Sequence, residues 1–537
     1  MTPDASPPSE RWPSAVLLLV LVVTAAIRIR LLDIPLDRDE GEYAYIGHLL
    51  LEGVPPMASA YTMKMPGIHA VYAVILSVLG RTPAAIHAGL LLVNAAGIVL
   101  VFRLGRRVFD ERAGLAAAVA FATLTLSPRM MGFAAYAEHF LLVPVLGAIL
   151  VLLRGLDTGR TRTVFVAGLL LGAGFLLKQT AAFFVLFGLA VILMRPGSGQ
   201  GGGARSATRG AGALLGGAAL PFALLALGLG VAGTLDDFWF WTFRYTSTYV
   251  SPLPPAQGLT NLAIVSRDIV PGAALTLCAA VVGAIGLAVD PARAHARALA
   301  GLFVLSSALA VTPGLYFRHH YFLVALPALA LLAGLAPGTV ARIFAHRPRL
   351  AAGAVAAVVA VPVLHALWTE RVVLFRATPL EVARTIYGWS PFPESPVIGD
   401  YIRRHAAAGD TVAVLGSEPQ IYYYAGRRAA TRFIYMYPLM ERHAFAARMQ
   451  ARMVGELEAA KPTYVVYVHV DTSWLATSES DLTLARWLGD LGTHFDRVGV
   501  VDIVSPDTTR YAWDDAARTY APRSKVWLAV LRRKSRP

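Results

Sequence analysis

The chain has 537 residues, of which 56% are hydrophobic and 15% charged, against about 25% charged in ordinary soluble domains, and this composition indicates a polytopic membrane protein. A single cysteine, Cys278, excludes an intramolecular disulfide framework and any multi-cysteine zinc or iron–sulfur site. The formal charge of +14 is explained by cationic loops at the cytoplasmic face of a membrane, and nucleic-acid binding is set aside on that ground.

Eleven apolar runs are predicted to be membrane spans, since a span needs about 20 mostly apolar residues and fewer where its flanks can snorkel. The runs lie near 14–32, 84–102, 113–128, 139–153, 163–178, 180–194, 210–231, 269–289, 298–312, 320–337 and 350–368. The first run could instead be a cleaved signal peptide, because Ala25 and Ala26 offer small residues. Arg28, Arg30 and the acidic stretch that follows favour a retained span.

A shorter apolar stretch, 66–80, decides the predicted orientation. If it is an interfacial or re-entrant helix and not a span, fifteen cations fall in five short loops on one side, and the opposite loops hold about half as many. The positive-inside bias then places the N-terminus in the cytoplasm and residue 369 onward outside, in a multi-pass protein of the cytoplasmic (inner) membrane. The fifteen cations are Arg103, Arg106, Arg107, Arg112, Arg154, Arg160, Arg162, Arg195, Arg205, Arg209, Arg293, Arg297, Arg342, Arg347 and Arg349.

Two segments differ in composition from the spans. The Gly/Ser-rich stretch Pro196–Gly212 is predicted to be a flexible cytoplasmic linker. From about 369 the apolar runs shorten and turn residues appear, which predicts an extracytoplasmic domain over 369–537 after a membrane domain over 1–368. Strands are predicted at 411–415, 463–468, 498–504 and 525–531, and helices at 441–460 and 481–491, an alternation typical of an α/β domain.

Ionisable side chains gather at the predicted outer ends of the spans, where burial of a charge is costly. Each group also has a non-catalytic interpretation. The acids after the first span could lie in a solvated loop or cap a helix. The lysines and histidines could snorkel or contact headgroups. The aromatic stretch Phe238–Tyr245 is better interpreted as a belt at the membrane interface than as a sugar platform. The groups are Asp37 to Tyr43, Tyr61 to Gly67, Ser127 to Arg129, Glu138 and His139, Lys178, Asp236 and Asp237, and Arg318 to His320.

The tail is rich in tyrosine. Packing in the core is the favoured interpretation, although aromatic faces with hydroxyl tips also suit stacking on sugars. In that second case the tail would cover the cavity above Asp39 and select the acceptor. The tyrosines concerned are Tyr422, Tyr423, Tyr424, Tyr435 and Tyr437.

Carboxylates opposed to lysine, arginine and histidine at one membrane face supply what glycosyl transfer from a lipid phosphate needs. A carboxylate can take the proton of an attacking hydroxyl. Cations can stabilise the charge that develops on a departing phosphate. The outer-face residues, taken together, therefore favour a catalytic site over several unrelated surface features.

The order of these motifs resembles the C-type integral-membrane glycosyltransferases, and in particular the family 39 group with the protein O-mannosyltransferases and the aminoarabinose transferase of lipid A. The resemblance rests on an Asp-Glu pair just after the first span, a Lys-x-Pro later in the same loop and an acid at the end of the second outer loop. Further similar segments are Arg106-Arg-Val-Phe, Leu126-Ser-Pro, Gly174-Phe-Leu-Leu-Lys178, His320 to Gly334 and Gly416-Ser-Glu-Pro-Gln.

The resemblance implies transfer of a sugar, usually with inversion, from a polyprenyl-phosphate donor at the outer leaflet onto a lipid, glycan or protein acceptor. Asp39 matches the catalytic acid, Glu40 is its neighbour, and Glu138 stands where relatives have a second acid. Lys64 matches a lysine that contacts donor phosphate, and no obligatory metal or other cofactor is expected. Lys178, Arg318 and His320 are further predicted phosphate ligands, and Tyr43, Tyr61 and His139 predicted substrate-binding residues.

Two other classes of protein stay open at this point. A transporter or flippase of lipid-linked sugars would favour charges at the bilayer midplane and broken helices in repeated halves. A non-catalytic cell-envelope assembly protein would explain the outer domain but leave Asp39, Lys64 and Glu138 without a role. The high Ala, Gly and Arg content is typical of a GC-rich bacterial genome.

Overall fold

The computed structural model describes residues 11–194, 202–250 and 253–534, and the chain divides into two compact units. Unit 1 consists of Met1–Leu32, His87–Leu227 and Tyr249–Arg376. Unit 2 consists of Asp33–Ile86, Gly228–Thr248 and Ala377–Pro537. The predicted division at residue 369 places the first two segments of unit 2 in the membrane domain, whereas the structure packs them with the C-terminal segment.

Unit 1 is built from helices. Its longer helices are Arg11–Ile29, Pro83–Val108, Glu111–Leu124, Ala137–Thr158, Thr161–Leu177, Ala182–Leu193, Gly202–Val231, Pro255–Ala288, Ala294–Val311, Leu326–Ala333, Ala336–Ile343, Pro348–Thr369 and Arg371–Phe375. Short 3-10 helices occupy Pro128–Met130, Gln179–Ala181, Pro291–Arg293, Pro313–Leu315 and His319–Ala325.

Seven apolar helices in the described part of the chain are long enough to cross a membrane, and they coincide with seven predicted spans: Pro83–Val108, Ala137–Thr158, Arg205–Val231, Pro255–Ala288, Pro291–Val311, His319–Ile343 and Pro348–Thr369. Three other predicted spans are shorter apolar helices, Pro13–Ile29, Thr161–Leu177 and Gln179–Leu193. The run at 113–128 corresponds to the 14-residue helix Glu111–Leu124. The prediction of a polytopic α-helical membrane protein is confirmed.

The predicted linker Pro196–Gly212 differs in the structure. Residues 195–201 lie outside the described residues, and from Gly202 the chain already forms the helix Gly202–Val231. Glycines in this helix allow close packing, since a Cβ placed at Gly217 would lie 2.2 Å from the carbonyl oxygen of Phe165. Small residues at such contacts are a common way to pack helices in membranes. The flexible-linker prediction is therefore wrong from Gly202 onward.

Unit 2 contains a six-stranded mixed sheet, which confirms the predicted α/β character of the tail. Its strands are β1 (Thr411–Leu415), β2 (Arg428–Ala429), β3 (Tyr464–His469), β4 (Phe495–Ser505), β5 (Thr508–Trp513) and β6 (Trp527–Arg533). The strand order is β2-β1-β3-β6-β4-β5. β1 pairs in parallel with β2 and β3, and the other neighbours are antiparallel. The four predicted strands are found within a few residues, while β2 and β5 were not predicted.

Unit 2 also contains helices, and two of them come from the predicted first outer loop. The segment 66–80 forms the helix Pro66–Leu79. The predicted helix at 441–460 begins later, at Ala446, and the one at 481–491 is two short helices. The set is Arg38–Leu51, Pro66–Leu79, Leu235–Trp239, Phe240–Tyr245 (a π-helix), Thr246–Val250, Pro379–Tyr387, Ser395–His405, Gln420–Ala425, Tyr437–Met440, Ala446–Ala460, Asp471–Trp474, Thr483–Gly489, Leu491–His494 and Asp515–Thr519.

The helix Arg38–Leu51, which we call the Asp39 helix, is part of the core of unit 2. Its apolar residues Tyr45 and Leu49 belong to the same buried cluster as Val414 of β1 and Val466 of β3. Gly41 allows this close approach, since a Cβ there would lie 2.4 Å from the Cβ of Gln420. The Asp39 helix therefore packs against the sheet as part of the same hydrophobic core.

We expect Gly41→Ala to lower the thermal stability of the protein by roughly 1–3 kcal/mol, because the added methyl group overpacks the contact with Gln420. The matched control is Gly455→Ala, a helical position with no heavy atom within 4 Å of the new Cβ, which should be neutral or stabilise by up to about 1 kcal/mol. Thermal unfolding of the purified protein in detergent measures both. Equal unfolding temperatures for the Gly41→Ala variant and the wild type would contradict the close packing.

Candidate active site

The Asp39 helix begins with a capping box. The Asp37 side chain accepts a hydrogen bond from the backbone N–H of Glu40 at 2.9 Å, and the Glu40 carboxylate accepts one from the backbone N–H of Asp37 at 3.3 Å. Such reciprocal bonds satisfy the free donors at a helix start. The Glu40 side chain is fully buried, so the structure uses this predicted catalytic residue to fix the first turn, on which Asp39 lies.

Lys64 is placed by the start of the next helix. Met65 is the N-cap of Pro66–Leu79, with proline in the first turn, where its missing N–H costs nothing. The backbone N–H of Lys64 donates to the hydroxyl of Thr62 at 3.1 Å. The Lys-x-Pro motif thus positions Lys64 at a turn directly before a helix.

Asp39, Lys64 and Glu42 form one charged cluster in unit 2. The Lys64 ammonium lies 2.8 Å from Asp39 Oδ1 and 2.6 Å from Glu42 Oε2. The side chains of Lys64 and Asp39 are 24% and 26% exposed, whereas that of Glu42 is 1% exposed. The cluster therefore has an open end with Asp39 and a closed end with Glu42.

Glu42 is held ionised by its neighbours. Its Oε1 accepts a hydrogen bond from the hydroxyl of Thr62 and lies 3.4 Å from His69 Nε2. Burial alone would raise the pKa of Glu42, but Lys64 and His69 outweigh burial and lower it. Burial would likewise lower the pKa of Lys64, while the charges of Asp39 and Glu42 raise it above its ordinary value. The lysine is thus fully charged at neutral pH.

Tyr435 reaches the open end of this cluster from the C-terminal segment of unit 2. Its hydroxyl lies 3.3 Å from Asp39 Oδ1 and 3.2 Å from the carbonyl oxygen of Arg38. Burial, together with the charges of Glu42 and Asp39, raises the pKa of Tyr435 well above its usual range. The hydroxyl therefore stays protonated and can donate to Asp39. Among the tail tyrosines, Tyr422 is buried in the core instead.

The segment Gly416-Ser-Glu-Pro-Gln, for which no role was predicted, holds the first residue of the Asp39 helix. Arg38 donates to the carbonyl oxygen of Ser417 and pairs with Glu418 at 2.7 Å. The side chains of Arg38 and Glu418 are 16% and 0% exposed. Burial acts to lower the pKa of Arg38, but Glu418 outweighs it and raises that pKa. The turn after β1 therefore anchors the site through a buried ion pair.

Two predicted substrate-binding tyrosines are packed inside unit 2. Tyr43 is 3% exposed, and its ring face lies 4.6 Å from the Lys64 ammonium, a favourable cation–π distance. Tyr61 is also 3% exposed and stacks on Trp241 at 4.9 Å. Both side chains are interior and offer little surface to a substrate.

The predicted interfacial belt at Phe238–Tyr245 is largely interior. Phe238, Trp241 and Tyr245 are at most 4% exposed, and only Trp239 among the four is open, at 55%. The Tyr245 hydroxyl donates to Glu441 at 2.6 Å. The belt prediction is therefore wrong for the three buried rings, which join this segment to the rest of unit 2.

A second cluster, in unit 1, contains Glu138, Lys178 and His320. The Lys178 ammonium pairs with the Glu138 carboxylate, and His320 Nε2 lies 3.7 Å from the same carboxylate. Glu138 is 1% exposed, Lys178 22% and His320 14%. Tyr321 flanks this cluster, its ring 4.6 Å from the Lys178 ammonium. The pattern matches that of unit 2: a buried carboxylate holds a partly open lysine.

Two other predicted site residues, Arg318 and His139, also belong to unit 1. Arg318 is exposed, and its guanidinium lies 5.7 Å from the ring centre of Tyr316. His139 is 3% exposed, and its Nε2 has no hydrogen-bond partner among the described residues. His139 is therefore an interior side chain with little surface for a substrate.

No group of three or more His, Cys, Asp or Glu side chains is arranged to hold a metal ion in the described part of the chain. The expectation that no metal is obligatory stays a prediction.

Sequence reasoning missed Glu42 and Tyr435 as site residues. Glu42 stands three positions after Asp39, which places both on the same helix face, and that spacing could have identified it. Tyr435 is nearly four hundred residues away in sequence, so only the tertiary fold brings its hydroxyl to Asp39.

The fold agrees with the resemblance to the C-type membrane glycosyltransferases of the family 39-like group. Residues 63–236 match the family model described as dolichyl-phosphate-mannose-protein mannosyltransferase. This range is less than half of the chain and includes Lys64, Glu138 and Lys178 but not Asp39. No curated protein sequence matches the chain significantly.

Solved structures show the same fold. ArnT from Cupriavidus metallidurans bound to undecaprenyl phosphate is 15% identical, with a TM-score of 0.58, and the match covers 97% of this chain and 98% of ArnT. The oligosaccharyltransferase of Archaeoglobus fulgidus, tethered with an acceptor peptide, is 13% identical, with a TM-score of 0.54, over 94% of this chain and 74% of that enzyme. At such identities the likeness is one of fold.

We expect loss of either partner of the Arg38–Glu418 pair to destabilise the protein by about 3–5 kcal/mol, because a buried charge is left unpaired. Arg38→Met and Glu418→Gln should each lower the unfolding temperature, and the double variant should recover part of the loss. Arg403→Met is the matched control, since Arg403 pairs with Asp400 on the surface, with 58% and 35% exposure, and should cost at most about 1 kcal/mol. Single variants no less stable than the control would show that the pair does not anchor the helix.

Proposed function

We propose that the protein transfers a sugar from a polyprenyl-phosphate donor to an acceptor at the outer face of the cytoplasmic membrane, with Asp39 as general base. The observation that carries the proposal is the pairing of a partly exposed carboxylate, Asp39, with a partly exposed ammonium, Lys64, at 2.8 Å. One group can take a proton and the other can hold a phosphate. ArnT of the same fold binds undecaprenyl phosphate.

Transfer needs one proton acceptor and one stabilised leaving group. The acceptor oxygen forms a bond to the anomeric carbon as its proton passes to Asp39, and the bond from that carbon to the phosphate oxygen breaks. The electron pair stays on the phosphate, which leaves as polyprenyl phosphate. Attack opposite the leaving phosphate inverts the anomeric centre. Asp39 loses its proton to water afterwards.

The Lys64 ammonium stabilises the negative charge that develops on the phosphate. An ammonium that is already charged and fixed costs little reorganisation when the leaving group departs, which is the basis of electrostatic stabilisation in enzymes. Lys178 and His320, held by Glu138 in unit 1, are proposed as further phosphate ligands on the same chemical ground. A flippase would need no proton acceptor, so Asp39 beside Lys64 favours the transferase.

The direct test incubates the purified protein with a panel of polyprenyl-phosphate hexoses and pentoses and a membrane extract as acceptor source. Release of polyprenyl phosphate, together with a sugar-bearing product detected by mass spectrometry, is the expected result. Transport of a labelled lipid-linked sugar across proteoliposomes without its cleavage would overturn the proposal in favour of a flippase.

We expect Asp39→Asn to reduce transfer about 10²–10⁴-fold, because the variant keeps the shape of the side chain but loses the proton acceptor. Binding of undecaprenyl phosphate and the unfolding temperature should change little. The matched control is Asp400→Asn, an exposed carboxylate of the same unit, which should transfer at the wild-type rate. Transfer by Asp39→Asn within a few-fold of wild type would remove Asp39 from the mechanism.

The proposed orientation predicts opposite labelling of two exposed positions, in a background where Cys278 is replaced by alanine. Thr158→Cys, at the end of the helix Ala137–Thr158, should react only with a membrane-permeant maleimide in intact cells. Asp507→Cys, in the turn between β4 and β5, should also react with an impermeant one. The reverse pattern, with Thr158→Cys open to the impermeant reagent and Asp507→Cys closed to it, would mean that the helix Pro66–Leu79 is a further span.

A further inference from the structure

Glu42 has the features of a functional residue, although nothing in the proposed reaction uses it so far. It is an ionised carboxylate in a nearly closed position, at 1% exposure. Removing a carboxylate from water without compensation costs several kcal/mol in effective terms. The structure compensates it with three separate groups, which are Lys64, Thr62 and His69. Such a set indicates that the negative charge is needed at this place.

The charge of Glu42 acts on Lys64. The ammonium has one carboxylate on its closed side and another, Asp39, on its open side. Ring faces of Tyr43 and Tyr435 lie 4.6 and 5.6 Å from the same nitrogen, so the ammonium is enclosed on several sides. A phosphate from outside therefore competes with Asp39 for it, while Glu42 is out of reach.

This competition has a consequence for Asp39 as a base. A carboxylate paired with an ammonium is a weaker base than a free one, because the positive charge favours its ionised form. When a phosphate draws the ammonium away, Asp39 becomes more basic at the moment when the acceptor proton must be taken. The exchange works only if Lys64 has a second counter-ion that keeps it charged and in place, and Glu42 is that counter-ion.

We infer that Glu42 is a positioning residue of the site, which holds Lys64 so that its ammonium passes from Asp39 to the donor phosphate when the donor binds. The inference rests on the proposed function and assigns Glu42 a role in substrate-dependent activation of the base. Glu42 itself touches neither substrate nor reacting atoms.

Other ionisable groups around Asp39 also enter its pH dependence. Arg38 is engaged by Glu418, Glu40 by the cap, and the tyrosine at 435 donates to Asp39. His69 acts through Glu42. From the Asp39 helix and its cap the groups are Asp37, Arg38, Glu40 and Glu42, from the turn before Pro66 it is Lys64, from Pro66–Leu79 it is His69, and from the C-terminal segment they are Glu418, Tyr435 and Tyr437.

The test compares Glu42→Gln, Glu42→Asp and the control Glu52→Gln, which changes an exposed carboxylate at the other end of the same helix. In Glu42→Gln the ammonium keeps Asp39 as its only carboxylate partner, so we expect kcat to fall about 10- to 100-fold, the scale of a misplaced catalytic group. Undecaprenyl phosphate should bind more weakly than to wild type, because an ammonium that stays with Asp39 is not offered to the phosphate.

The pH profile separates this role from a structural one. Asp39 works ionised, so the rate rises with pH through its pKa in the complex with donor. In wild type the donor phosphate shares the Lys64 ammonium with Asp39, so the pKa of Asp39 is higher than in Glu42→Gln. In Glu42→Gln the ammonium stays with Asp39, its pKa is lower, and the acid limb of kcat moves to lower pH with a reduced plateau. Glu42→Asp, which keeps the charge, should restore the wild-type limb. If the acid limb of kcat lies at the same pH in His69→Gln as in wild type, that limb does not report the titration of His69.

Three outcomes would overturn the inference. These are a Glu42→Gln enzyme with wild-type plateau and limb, binding of undecaprenyl phosphate in that variant as tight as in wild type or tighter, and equal losses of rate and unfolding temperature in the Gln and Asp variants. If wild type releases no polyprenyl phosphate from any donor, the proposed function fails instead. Glu42 is then judged by the binding of undecaprenyl phosphate alone, and an affinity in Glu42→Gln equal to or above that of wild type overturns its role.

Discussion

The buried negative charge of Glu42 is the constraint on which the site of unit 2 depends. An ionised carboxylate at 1% exposure is tolerated only with compensating partners, and these come from the turn at Thr62 and Lys64 and from the helix that follows. Once Glu42 fixes the ammonium of Lys64, the position of that ammonium fixes the open carboxylate of Asp39. One buried charge thus sets the distance between the proposed base and the proposed phosphate ligand.

The sheet of unit 2 keeps this arrangement rigid. Arg38 is tied to the turn after β1 through Glu418 and the Ser417 carbonyl, and Tyr45 of the same helix is buried among strand residues. The start and the middle of one short helix are therefore fixed by the same scaffold. A helix so held cannot rotate Asp39 away from Lys64 without breaking a buried ion pair, which makes the C-terminal segment part of the site's support and not an appendage.

Sequence reasoning found the features that depend on local pattern. Hydropathy located the long helices, alternation located four strands, and the order of acids and lysines placed Asp39 and Lys64 in one site. It failed where tertiary contact decides. Glycines from Gly202 onward suggested a flexible linker but serve close helix packing, and the aromatics near Trp241 suggested a membrane belt but are buried with Tyr61. The Tyr435 hydroxyl has no local signal at all, because its partner lies at the other end of the chain.

The same electrostatic pattern occurs in both units, as Glu42 with Lys64 and as Glu138 with Lys178. In both, the acid is 1% exposed and the lysine between 22% and 24%. A lysine without an acid in such surroundings would lose hydration with no ion pair to compensate the loss. A buried acid beside it stabilises the lysine as an ammonium. The pair in unit 1 has little net charge, and in unit 2 the second carboxylate, Asp39, makes the cluster negative. Each therefore attracts a distant anion weakly and yet offers a fixed donor at contact distance. Such a pair discriminates against free anions in solution. It favours a ligand whose own prenyl chain, anchored in the membrane, holds the phosphate close to the lysine.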